Sequence, residues 1–111
     1  MAKKEQKINF RLLDTQIILR FVDKIEDDEK RYYGLTQYKL SYVDVQIATK
    51  DNDGNDLSED TIKATILHEL IHVIFDKMYF RTESDNESLV EWTAQSLHSI
   101  LKQGLYKQWE K

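Results

Sequence analysis

Residues 68–72 read His-Glu-Leu-Ile-His, and this HExxH pentapeptide constrains the fold more than any other stretch of the chain. Its letters make chemical sense together only on a helix. Side chains four apart share a helical face, so His68 and His72 aim two imidazoles at one point, which is how a helix holds zinc. Glu69 lies about 100° round the same turn, where it reaches a water polarised by the metal without ligating the ion. The surroundings agree with a helix over residues 58–79. Ser58 is a good N-cap, and Glu59 and Asp60 suit the positive end of the helix dipole. Ile62, Ile66, Leu70, Val73 and Lys77 keep helical spacing, while Leu67, Ile71, Ile74, Phe75 and Met78 widen the apolar surface. A helix apolar round so much of its circumference is buried on more than one side.

A second helix is expected over residues 84–103, starting near Ser84 or Asp85 after a polar connection and ending at Gly104, a natural C-cap. Leu89, Val90, Ala94, Leu97, Ile100 and Leu101 supply its apolar positions. The first 50 residues read differently. Ile8 to Leu12 alternates apolar with polar, residues 16–22 are rich in β-branched and aromatic side chains, and residues 32–35 and 38–48 continue the pattern. Val43, Val45 and Ile47 fall on one face of a strand, with Asp44 and Gln46 on the other. The acidic stretch 23–30 reads as a turn. Residues 51–56, Asp-Asn-Asp-Gly-Asn-Asp, also read as a turn. They fit a calcium loop poorly, since Thr49 takes the first ligand position and a strand stands where a helix is needed. The expected class is α+β, in one domain spanning residues 1–111.

Composition narrows the chemistry. The chain has 111 residues, no cysteine, no proline, 41% hydrophobic residues and a net charge of −4. Without cysteine there is no disulfide staple, zinc ribbon or thiol nucleophile, so a metal must be held by His, Asp and Glu. No basic stripe favours nucleic acid. No apolar run is long enough for a bilayer, and no signal peptide is evident, so a cytoplasmic protein is expected.

A hydrolytic zinc site needs a third ligand and an open position. Phe75 and Met78 occupy the places where a three-histidine motif would carry glycine and histidine, which removes that class. His98 lies about 16 Å beyond Glu87 along a straight helix, too far to share a metal with it. Glu87 and Glu91, four apart on one face, and Asp85 at the helix mouth are left as candidates.

The segment Glu-Ser-Leu-Val-Glu-Trp-Thr-Ala at residues 87–94 resembles the second-helix motif of the ImmA/IrrE-type zinc peptidases, in which a glutamate stands three residues before a small or aliphatic residue. Val90 and Ala94 fill the two small positions. The resemblance covers residues 40–102 and looks most like the short phage-encoded members. It implies a gluzincin-like zincin core of two helices with the small N-terminal sheet packed on it. It implies one Zn2+ held by His68, His72 and Glu87, with Glu91 as an alternative ligand or as the partner that fixes a ligating histidine. It further implies a peptidase acting on a protein, plausibly a DNA-binding repressor, with Glu69 as general base. Two departures stand out: the gap from His72 to Glu87 is short, and Thr93 replaces a customary phenylalanine. The oxyanion donor is not announced; Tyr79 and Tyr106 are the candidates. The competing expectation is a non-catalytic metal-binding or protein-interaction domain of a phage or mobile element.

Overall fold

The computed structural model describes residues 6–27, 30–104 and 107–108, leaving aside the side chains of 26, 27 and 30–32. The fold is α+β, and the chain divides into two compact units, Met1–Ile62 and Lys63–Lys111. Among the described residues three helices follow six strands.

The first unit holds the strands. β1 (Gln6–Leu12) and β2 (Thr15–Val22) form an antiparallel hairpin, and Leu13 takes a left-handed φ of 56° to make its tight turn. β6 (Val43–Ala48) lies parallel to β2, and β5 (Gly34–Tyr38) lies antiparallel to β6. The order across this sheet is β1-β2-β6-β5. Alternation sorts the faces. Ile17 and Leu19 of β2 stand in register with Val43 and Val45 of β6, and with Ile47 all five are buried. Arg20 and Asp44 stand on the opposite face. Asp44 nevertheless is only 3% exposed. The Arg20 guanidinium donates to both its oxygens at 2.7 Å, Nε to Oδ1 and Nη2 to Oδ2, so the polar face buries a paired charge. That ion pair, strongest through its hydrogen bonds, holds the Asp44 carboxyl below the usual carboxylate range despite burial.

The stretch expected as a single turn over residues 23–30 instead contains β3 (Ile25–Asp27), which pairs antiparallel with β4 (Lys30–Tyr32). Acidic and basic residues disfavour strands in general, and the pairing here rests on chain reversal that periodicity does not report. Residues 51–56 do form a turn. Asp51 Oδ1 accepts the N–H of Asp53 and of Asn55, both at 2.9 Å, and Gly54 takes a φ of 82°. Its carboxylate is thus engaged by its own backbone.

The second unit is helical. α1 (Glu59–Lys77) begins just before it, capped by Ser58 Oγ, which accepts the Thr61 N–H at 3.1 Å. It ends by geometry rather than by glycine. Phe80 N–H donates to the Phe75 carbonyl at 2.8 Å and Tyr79 N–H to the Asp76 carbonyl at 3.1 Å, the paired bonds of a Schellman closure. Tyr79 supplies the left-handed residue, with φ 63°. The segment expected as a plain connection then winds into a one-turn helix, α2 (Arg81–Asp85). α3 (Glu87–Lys102) follows at once, with the Asn86 side chain accepting the Leu89 N–H at 3.1 Å as its N-cap. Gly104, with φ 68°, closes it. Among the described residues no helix is long and apolar enough to cross a membrane.

Candidate metal centre

The site grows from the seam between α1 and α3. Leu67, Ile71 and Phe75 are one residue per turn along α1, and they cluster with Val90 and Ala94, one turn apart on α3. Val90 and Ala94 are fully buried, so these positions set how the two helices meet. The row beside the apolar one on α1 holds His68 and His72. The row beside it on α3 holds Glu87 and Glu91. Two apolar rows in contact therefore bring two polar rows together along their flank.

The distances there are short and convergent. His72 Nε2 lies 3.3 Å from His68 Nε2. Glu87 Oε2 lies 3.0 Å from His68 Nε2, and Glu87 Oε1 lies 3.2 Å from His72 Nε2. These three residues are the one group of potential ligands whose atoms converge among the described residues. Zinc bonds of 2.0–2.1 Å in a tetrahedron separate the ligand atoms by roughly 3.3–3.4 Å. The Nε2–Nε2 separation of 3.3 Å matches one edge of such a tetrahedron, and the Glu87 carboxylate brings one oxygen to each ring nitrogen at a similar distance, so the donor set fits the ion.

The outer ring nitrogens make the fit chemical as well as geometric. His68 Nδ1 lies 2.7 Å from Glu91 Oε2. A carboxylate faces each nitrogen of this ring, Glu91 at Nδ1 and Glu87 at Nε2, and with the proton on Nδ1 the Nε2 lone pair is left for a metal. Gln95 Nε2 donates to Glu91 Oε1 at 2.8 Å; that bond first, and the contact with His68 second, hold the Glu91 carboxyl below its ordinary range against partial burial. His72 Nδ1 lies 3.1 Å from Ser84 Oγ, whose hydroxyl donates to the His72 carbonyl at 3.3 Å. With the hydroxyl proton on that carbonyl, Oγ is left to accept from a protonated Nδ1. With the ring protons on the outer nitrogens, both imidazoles turn Nε2 lone pairs toward each other and toward a carboxylate. Three electron-pair donors so close repel unless a cation, a proton or a metal ion, joins them.

Glu69 sits on α1 at 8% exposure, next to His68 in sequence and itself outside the converging group. Glu87 faces both Nε2 atoms, whereas Glu91 stands behind His68 on Nδ1. Asp85, the last residue of α2, and His98, on α3, take no part in the converging group. Tyr79 is 86% exposed beyond the end of α1. Tyr106 lies outside the described residues. Ser84 is the residue that sequence reasoning missed. A serine near a helix start reads as a cap, but Asn86 caps α3, and Ser84 turns inward at 3% exposure. No protein-family description, curated protein or solved structure matches the chain.

Proposed function

We propose that the protein is a zinc-dependent metallopeptidase of the ImmA/IrrE kind, hydrolysing peptide bonds of a protein substrate, plausibly a DNA-binding repressor in a bacterial cytoplasm. The observation that carries the reading is the convergence of His68 Nε2, His72 Nε2 and Glu87 within 3.0–3.3 Å, with both histidines held by their outer nitrogens. Bound there, zinc supplies Lewis-acid polarisation of the scissile carbonyl and of a water. The chain's own residues do the rest. His68, His72 and Glu87 would hold the ion. Glu91 and Ser84 keep the two rings from turning. Glu69 accepts the proton of the attacking water and delivers it to the departing amine, so that one carboxylate serves as base and then as acid. Its burial suits that work, because a carboxylate shielded from bulk water holds a proton in transit without losing it to solvent. Tyr79 and Tyr106 are the candidate hydrogen-bond donors to the substrate's carbonyl oxygen.

Elemental analysis and a Glu69→Gln variant test this. Protein prepared without chelator should carry about one zinc per chain. Glu69→Gln should keep that zinc and lose hydrolysis of a fluorogenic unfolded protein or of a co-produced repressor. Wild-type chain without zinc sinks the proposal. Zinc with no hydrolysis in either protein replaces the peptidase by a metal-stabilised interaction domain.

A further inference from the structure

The structure assigns Ser84 as a positioning residue that fixes the orientation and tautomer of His72, which makes the one-turn α2 part of the metal centre. The inference rests on the zinc reading above and adds a residue to it. Ser84 is one of three buried polar side chains among the described residues, with Asp44 and Glu69. Both capacities of its hydroxyl are spent on His72. Oγ lies 3.1 Å from the ring Nδ1 and 3.3 Å from the same residue's backbone carbonyl, and a hydroxyl proton directed at the carbonyl leaves Oγ to accept from Nδ1–H. The two bonds close a loop from the backbone of α1, through Ser84, to the ring it carries. A ring held this way cannot flip by 180° about its Cβ–Cγ axis without losing its partner. It also cannot move its proton to Nε2 without leaving Ser84 Oγ without a donor in a buried place.

The local backbone explains how Ser84 arrives there. The left-handed Tyr79 ends α1 and reverses the chain. α2 then makes a single turn, anchored by Ser84 N–H donating to the Phe80 carbonyl at 2.9 Å. That turn places Ser84 beside the last turns of α1 before Asn86 starts α3. A serine 3.1 Å from a histidine also invites comparison with a hydrolase nucleophile. The geometry argues against it. Oγ is closed off from substrate, and its proton points to a carbonyl, not to the base that would have to remove it.

The test reads the ring directly, then the metal. In chelator-treated, metal-free protein at about pH 8.5, where imidazoles with ordinary pKa values are neutral, long-range 15N correlation spectra should show His72 with a protonated Nδ1 and a bare Nε2. In Ser84→Ala, His72 should shift toward the opposite tautomer. Zinc affinity, measured by competition with a chromogenic chelator, should fall about 10–100-fold. Ser84→Thr, which keeps the hydroxyl, should restore both readings. Wild-type His72 protonated at Nε2 overturns the assignment, and this needs no variant to fold. So does Ser84→Ala with unchanged tautomer and unchanged affinity. A wild-type chain that takes up no zinc sinks the peptidase reading and the affinity claim with it, while a His72 protonated at Nδ1 would still uphold Ser84's hold on the ring.

Discussion

Glu87 and Glu91 are the same residue type, one turn apart on one helix, yet their distances assign them different work, and exchanging each for glutamine separates the two roles. Glu87 approaches both Nε2 atoms at 3.0 and 3.2 Å, so it would touch the ion itself. A unit negative charge about 2.1 Å from a divalent ion is worth about 4 kcal/mol even at the dielectric of bulk water, so Glu87→Gln should weaken zinc binding about a thousandfold. Glu91 meets the far nitrogen of His68 at 2.7 Å, with a whole imidazole between it and the ion. At a separation of about 7 Å the same expression gives about 1 kcal/mol in water. Its side chain is half exposed, so the screening is close to that of water. Glu91→Gln should therefore cost about tenfold, rising toward a hundredfold if the site's dielectric is lower. Chelator competition at constant pH measures both constants, and far-UV circular dichroism shows that both variants keep their helices. Equal losses, or a larger loss for Glu91→Gln, would refute the division of labour and with it the ligand set.

Two further predictions concern the scaffold. Asp44→Asn leaves Arg20 without its counter-charge on the sheet, and because Arg20 keeps 27% side-chain exposure the destabilisation should be about 2 kcal/mol, below that of a fully buried pair. The sign with pH follows from the lowered folded-state pKa of Asp44. Its contribution is present above the unfolded value and is lost as pH falls through the folded one, so urea curves of wild type and variant should differ fully at pH 7 and converge below about pH 4. Tyr79→Gly should stabilise the helical unit by about 0.5–1 kcal/mol in urea denaturation, since glycine relieves the left-handed backbone at some entropic cost. A loss of stability there would mean that the exposed ring makes contacts worth more than the strain.

The chain's own letters revealed some of this and concealed the rest, for physical reasons. Period-two alternation exposed Val43, Val45 and Ile47 as one buried face because burial on a sheet follows the pleat. The same alternation put Asp44 on the other face without showing its burial, since a pattern of polarity does not contain the arginine on a strand 24 residues earlier that pairs with it. The pair β3 and β4 was hidden because its residues are charged and its pairing is a matter of chain reversal. The end of α1 near residue 79 was legible, but not the left-handed turn that makes it, because a tyrosine stands where glycine would have announced it. Ser84 was misread for a related reason. Its role depends on α2 folding back on α1, and a five-residue helix of Arg, Thr, Glu, Ser and Asp carries no hydrophobic period to declare itself.

The centre itself sits between these cases. His68 and His72 are legible because four-residue spacing on a helix is itself a geometric statement. Glu87 and Glu91 carry the same spacing on the facing helix, so the sequence contains two matched pairs and no indication of how they mesh. The meshing comes from the apolar residues. Leu67 and Ile71 meet Val90 and Ala94, and that contact sets α3 along α1 so that His68 falls between the two glutamates. One imidazole has a nitrogen at each side, and successive carboxylates on a helical face stand about 5–6 Å apart. A ring lodged between them meets one carboxylate with each nitrogen, at 3.0 and 2.7 Å. His72, a turn further on, reaches Glu87 with Nε2 and finds Ser84 at Nδ1. Which glutamate would hold the metal is thus decided by how aliphatic side chains pack beside it, and a sequence shows those residues without showing their fit.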